Sequence, residues 1–192
     1  MRDQPRHPTH RFAAGAKRAF GARRMNAHIR EYRDTDYGVC RSLWVELTER
    51  HRLIYGDPSI GGDDPAAGLD EYLANPVRQA TWVAEVDGTV VGMAGLIVRS
   101  EGAEIEPVVV SAAHRSRGVG RALVRRALEQ AMNAGIRFLS VRPVARNVEA
   151  ISFFVGCGFD ILGHVDLFKD LLPQEGRDWK PGIRLHNKNL RC

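Results

Sequence analysis

Cysteine is scarce in this chain: 192 residues carry three, Cys40, Cys157 and Cys192, far apart and with no CxxC pair. An odd, dispersed set excludes a disulfide framework and points to a reducing compartment, so a cytoplasmic location is expected. The seven histidines form no HxxxH or HExxH group, and no metal site is expected. The longest uncharged apolar run, Thr89–Val98, is about half of what a bilayer requires. No membrane partner is therefore expected. Tyrosine is absent beyond residue 72; the four present are Tyr32, Tyr37, Tyr55 and Tyr72.

Acid is nearly missing from the first 24 residues. They hold seven basic residues against Asp3 alone, a balance of +6, so the whole-chain charge of +5 leaves −1 for the other 168. The basic character belongs to the leader and not to the rest. Residues 1–24 are expected to be a disordered extension, and residues 25–192 the domain. A basic arm for nucleic acid would need such a leader, but with the remainder near neutral, nucleic acid is not expected as a partner. A hydrophobic content of 44% is ordinary for a folded protein.

Alternation and turn chemistry divide the remainder. Residues 28–33 alternate as a strand. Asp34 or Asp36 is placed to cap a helix reaching about Arg50, with Val39, Leu43 and Leu47 at fourfold spacing. Residues 55–68 are turn-rich, and a short helix follows up to Pro76. Two β-rich runs flank Asp87-Gly88, the signature of a type I′ hairpin. A strand over 103–111 precedes a helix over 118–134, which has Val124, Ala127, Leu128 and Ala131 on one face and Gly135 as its stop. Residues 136–142 read as a strand, 148–156 as a helix and 159–171 as a last strand. This is a mixed α/β layout, one sheet covered by helices.

The stretch VVVSAAHRSRGVGRAL, residues 108–123, sets a glycine turn between a strand and a helix. It is not a P-loop, because Arg121 and Ala122 follow the second glycine. It is not a dinucleotide fingerprint either: Leu123 stands at the third glycine, and no acid follows at ribose distance. What remains is Arg115-x-x-Gly118-x-Gly120 at a helix start. There the amides of residues 116–121 and the helix dipole suit a pyrophosphate. Asn147, Ala150, Phe153, Phe154, Gly158 and Phe159 form a second pattern further along.

These two motifs, at their spacing and in their strand–helix context, resemble the signatures of the GNAT N-acetyltransferase superfamily. The matching element order covers about three quarters of the chain. The resemblance implies a mixed central sheet flanked by helices, whose splayed parallel strands (104–111 and 136–142) form an acetyl-CoA cleft. It implies that Arg115, Ser116, Arg117, Gly118, Val119, Gly120 and Arg121 hold the pyrophosphate. The backbone of Val108, Val109 and Val110 would pair with the pantetheine arm, and Asn147 would contact it. Asn147 is equally suited to cap the following helix. The implied activity is acetyl transfer from acetyl-CoA to a small-molecule or peptide amine, by direct attack and with no metal. A homodimer is compatible with it.

Only a neutral amine attacks a thioester, so a base is needed. Glu104 and Glu106 share strand parity with Val108 and Val110, which predicts all four on one face. Paired carboxylates raise one another's pKa, and either can serve as the base, with Glu106 the nearer to the implied thioester. The resemblance puts a tyrosine acid where this chain has Phe154. That departure leaves open a second class, a catalytically silent acyl-CoA-binding regulator. The loop acids Asp57, Asp63, Asp64, Asp70 and Glu71 would suit a cationic acceptor, or are merely solvated.

Overall fold

The computed structural model describes residues 26–100, 102–171 and 179–192. The expectation for residues 1–24 falls outside them. A five-stranded sheet runs β1 (His28–Glu31), β2 (Arg78–Val86), β3 (Thr89–Arg99), β4 (Gly102–Val110) and β5 (Leu139–Ser140), in that spatial order. The first four are antiparallel neighbours, and β4 and β5 are parallel. Helices α1 (Tyr37–Tyr55), α2 (Ala67–Ala74), α3 (Val119–Asn133) and α4 (Val148–Val155) cover it.

The β2–β3 hairpin forms as its turn residues require. Asp87 and Gly88 have φ of 50° and 75°, both left-handed, as a type I′ turn demands. From Val91 to Ile97, β3 is buried without a break, because both of its faces are covered. On one face Trp82, Leu96 and Ile105 pack under Leu123, Val124 and Ala127 of α3. On the other, Val83, Met93, Ile97 and Val109 pack under Cys40 and Leu43 of α1 and Leu69 and Tyr72 of α2. The apolar stripe expected on α3 is the buried one, with Leu128 at its margin. Gly135 ends α3 at φ 69°, its amide donating to the Met132 carbonyl at 3.0 Å.

Asp36 stands at the start of α1, yet its carboxylate does not cap forward. It turns back onto Arg30 of β1 in a two-pronged pair, 2.7 and 2.9 Å, and accepts from the Arg33 amide at 2.8 Å. Arg30 also reaches Glu85 of β2 at 2.8 Å. The Arg30 hydrogen bonds hold the buried Asp36 carboxyl below the usual carboxylate range. We expect Asp36→Asn to cost ~2–3 kcal/mol at pH 7 by chemical denaturation. A depressed native pKa stabilises above the unfolded value of about 3.9 and is lost as pH falls through the native value. The gap between wild type and Asp36→Asn should therefore close only in acid.

Three elements differ from the sequence reading. Helix α1 runs on to Tyr55, because its stop is Gly56 at φ 65°. The strand expected over 136–142 is reduced to Leu139–Ser140, since β4 and β5 pair only at Ala103↔Leu139 and Glu104↔Ser140 before parting. The strand expected over 159–171 is absent. Ile161, Leu162 and Phe168 are largely exposed there. β propensity reports packing against neighbours, and among the described residues no strand pairs with this segment. A separate hairpin closes the chain instead, β6 (Pro181–Leu185) and β7 (Lys188–Arg191), turning at His186 and Asn187 with positive φ.

Candidate active site

The glycine turn joins β4 to α3. Ser116 and Gly118 have φ of 60° and 92°, left-handed turns that set backbone amides around a concavity. Gly118 is the first residue of the α3 cap and supplies no side chain to it. The first helical amide to close a turn is that of Ala122, onto the Gly118 carbonyl at 3.0 Å. The amides of Val119, Gly120 and Arg121 are the unsatisfied first-turn donors of a helix, at the positive end of its dipole. A diphosphate fits this donor set.

The side chains of the turn do other work. Arg115 donates to the Val110 carbonyl at 2.9 Å, and Arg121 reaches the Gly156 carbonyl behind α4 at 2.7 Å. Ser116 and Arg117 are exposed, and Val119 is buried in the core. The two glycines differ. A Cβ on Gly118 would meet open space, whereas one on Gly120 would lie 3.2 Å from the Phe153 ring and 3.6 Å from Val110. Gly120 lets α3 approach α4 and β4; Gly118 gives the turn its hand. Glu46 of α1, which sequence reasoning did not single out, accepts from the Ala112 amide at 2.9 Å and lies 3.7 Å from Arg115. Nothing in local periodicity marks that 66-residue reach.

β4 is bent beside this turn. Its register with β3 slips between Leu96↔Ile105 and Ala94↔Val108, so Glu106 and Pro107 together oppose Gly95. Proline has no amide to give the ladder and is favoured at such bulges. The slip overturns the parity expectation. Val108 and Val110 face α3, while Glu104 shares the face of its partner Ile97, as Val109 does that of Met93. On that face the Tyr72 hydroxyl occupies the space that a Cβ on Gly95 would fill, and it bonds Thr81 at 2.8 Å. Burial pushes the Tyr72 phenol up to about 12. On the β5 side, β4 has no neighbour beyond Glu104 among the described residues. The backbone of residues 106–110 thus offers an open strand edge.

The two glutamates have different surroundings. Glu104 is buried, and its Oε2 has no hydrogen-bond partner among the described residues. Arg99 and Arg142 stand 3.6 Å from that oxygen. Glu106 is exposed at the bulge. Exposed as a residue, it has a carboxyl partly screened from water; that desolvation first, and the Glu104 charge second, raise its pKa, while Arg99 and Arg142 pull it down. Neither arginine was singled out in the sequence, because their meeting at Glu104 depends on how the strands pair.

Asn147 caps α4, its side chain accepting from the Ala150 amide at 3.0 Å. Phe154 is half-buried among Phe153 and Phe159, stacked edge-on at 5.0 and 5.9 Å. The loop acids are partly engaged. Arg41 pairs with Asp64 and lies 3.5 Å from Asp70, and Asp57 holds Ser59. Among the described residues no His/Cys/Asp/Glu cluster suits a metal, and no helix is long and apolar enough to cross a membrane.

A mixed sheet whose last two strands part beside a helix N-terminus is the layout that the GNAT resemblance implies. The acetyltransferase (GNAT) family profile matches residues 44–159, and the chain belongs to that family. It is 30% identical to rat (Rattus norvegicus) N-acetylaspartate synthetase over 102 residues, 52% of this chain and 34% of that protein. It is 36% identical to Escherichia coli streptothricin acetyltransferase over 66 residues, 34% of this chain and 37% of that protein. The chain spans little more than a third of these curated relatives. Among solved structures, AAC(6')-Iy bound to the bisubstrate analog CoA-S-monomethyl-acetylneamine superposes with a TM-score of 0.56. That match covers 77% of this chain and 99% of the other at 20% identity, a likeness of fold.

Proposed function

We propose that this protein transfers an acetyl group from acetyl-CoA to the amine of a small molecule, in a ternary complex, with Glu106 as the general base. The observation that carries this reading is Glu106 itself: a carboxyl of raised pKa at the bulge where β4 loses its neighbour. The amides at the start of α3 receive the diphosphate, and the open edge at Val108, Val109 and Val110 pairs with the pantetheine arm. An amide of that edge polarises the thioester carbonyl. Glu106 takes a proton from the ammonium, directly or through a water. The free amine then attacks the carbonyl carbon, the C–S bond breaks as the thiolate leaves, and the second proton lost from nitrogen passes to water. Residues 25–192 form the transferase domain in this reading. Its setting is cytoplasmic, in keeping with the free thiols of Cys40, Cys157 and Cys192.

Phe154 cannot protonate the departing thiolate, so water does. With a thiol pKa of about 8.5, taken from cysteine, the thiolate is a tolerable leaving group near neutrality. Phe154→Tyr is expected not to lower kcat, and to raise it where thiolate departure limits the rate; stopped-assay turnover over a pH series checks this. The reading as a whole is tested by free-CoA release with a panel of amines. Tight acetyl-CoA binding with no amine turned over would favour the silent regulator.

A further inference from the structure

Around the two glutamates lies an arrangement that base catalysis does not use up. β4 and β5 are in register at Glu104↔Ser140. Arg142 lies two residues beyond Ser140, past the end of β5, and its guanidinium stands 3.6 Å from Oε2 of Glu104. Arg99 pairs with Gly102 at the end of β3 and shares the face of Ile97 and Glu104 by the same period. The two guanidinium groups thus converge on one carboxylate. Both are open to solvent, with side chains 48% and 67% exposed, above a Glu104 side chain only 5% exposed.

The contacts are of charge and not of hydrogen bonding. Each arginine stands 3.6 Å from Oε2 of Glu104, and that oxygen has no hydrogen-bond partner among the described residues. The guanidinium N–H donors facing the gap remain able to receive a second anion. Two guanidiniums face the one carboxylate that lies within ion-pair distance of them, that of Glu104. A polycationic acceptor would have to bring its further charges beside two guanidiniums. Of the loop acids that could attract it, Asp64 and Asp70 are drawn to Arg41.

We propose that the acceptor carries a carboxylate beside its amine, as free amino acids do, and that Arg99 and Arg142 receive that carboxylate while the amine faces Glu106. This rests on the acetyltransferase reading above and names its substrate class. Guanidinium–carboxylate recognition is charge-assisted and directional, and is lost when the carboxylate becomes a neutral amide.

The experiment measures free-CoA release with free L-amino acids, the matching L-amino-acid amides, and spermidine. Wild type should favour at least one acid over its amide by ~10-fold or more in kcat/KM, chiefly through KM. Arg142→Gln and Arg99→Gln, each read on the plateau of its own pH profile, should collapse that ratio towards one. Higher kcat/KM for amides or spermidine in wild type would overturn the zwitterion proposal while leaving acetyl transfer intact. So would an acid preference that survives both substitutions. Acetyl-CoA binding with no amine turned over would instead sink the acetyltransferase reading, and this proposal with it.

Discussion

Replacing Glu106 by glutamine is expected to lower kcat by ~10²–10⁴-fold, the usual worth of a general base, with little change in the KM for acetyl-CoA. The pH dependence separates this from a structural effect. The raised Glu106 carboxyl should give wild-type kcat/KM an acidic limb above the ordinary glutamate range. Glu106→Gln has no such limb. Its rate should track free amine, so the deficit shrinks as pH approaches the amine's own pKa. Stability supplies a second check. A carboxyl with a raised native pKa contributes stability below its unfolded pKa and loses it as pH rises through the native value. Above that native value ionised Glu106 is a burden on the fold, and Glu106→Gln should there unfold no sooner than wild type. A variant that loses activity and melts early would mean that Glu106 is structural.

Glu104→Gln is the companion measurement. Removing the neighbouring anion takes away a contribution that raises the Glu106 carboxyl and leaves Arg99 and Arg142 to lower it further. The acidic limb of kcat/KM should move to lower pH while most of kcat survives. Loss of the limb in Glu104→Gln, with a wild-type profile in Glu106→Gln, would make Glu104 the base.

Much of this site was legible from local pattern. Asp87-Gly88 makes a hairpin whatever surrounds it, because its positive φ values belong to two adjacent residues. Gly118 and the α3 stripe are likewise matters of one turn and one helix. What the sequence did not disclose depends on pairing. Glu106-Pro107 reads as two ordinary strand positions until β3 is laid beside it, and only then does the bulge send Glu104 and Val108 to opposite faces. Arg99 and Glu104 lie on two strands and Arg142 past the end of a third, and no spacing brings them together. The misread segment 159–171 errs in the same way: its apolar residues favour a strand, but a strand exists only where an edge receives it. The closing hairpin had a legible clue in Asn187, a residue tolerant of positive φ.

Gly118→Val is expected to weaken acetyl-CoA binding by ~10–100-fold in calorimetry, the worth of one or more charge-assisted hydrogen bonds. At φ 92° a β-branched side chain is strained whatever space surrounds it, and a Cβ there meets nothing within 4 Å. The turn must relax by rotating its own peptides. That moves the amide of Val119, one of the donors proposed for the diphosphate. The core should hardly notice, because Gly118 is exposed and the stability cost is confined to one residue's strain, ~1–3 kcal/mol. Gly120→Val is the contrasting case. Its Cβ would press on the Phe153 ring and on Val110, forcing α3 away from α4 and β4. That variant should lose affinity and melting temperature together. Equal affinity for acetyl-CoA in wild type and Gly118→Val would remove the diphosphate from this turn. Loss of affinity in Gly120→Val alone would then be read as damage to the α3–α4 contact that holds the turn in place.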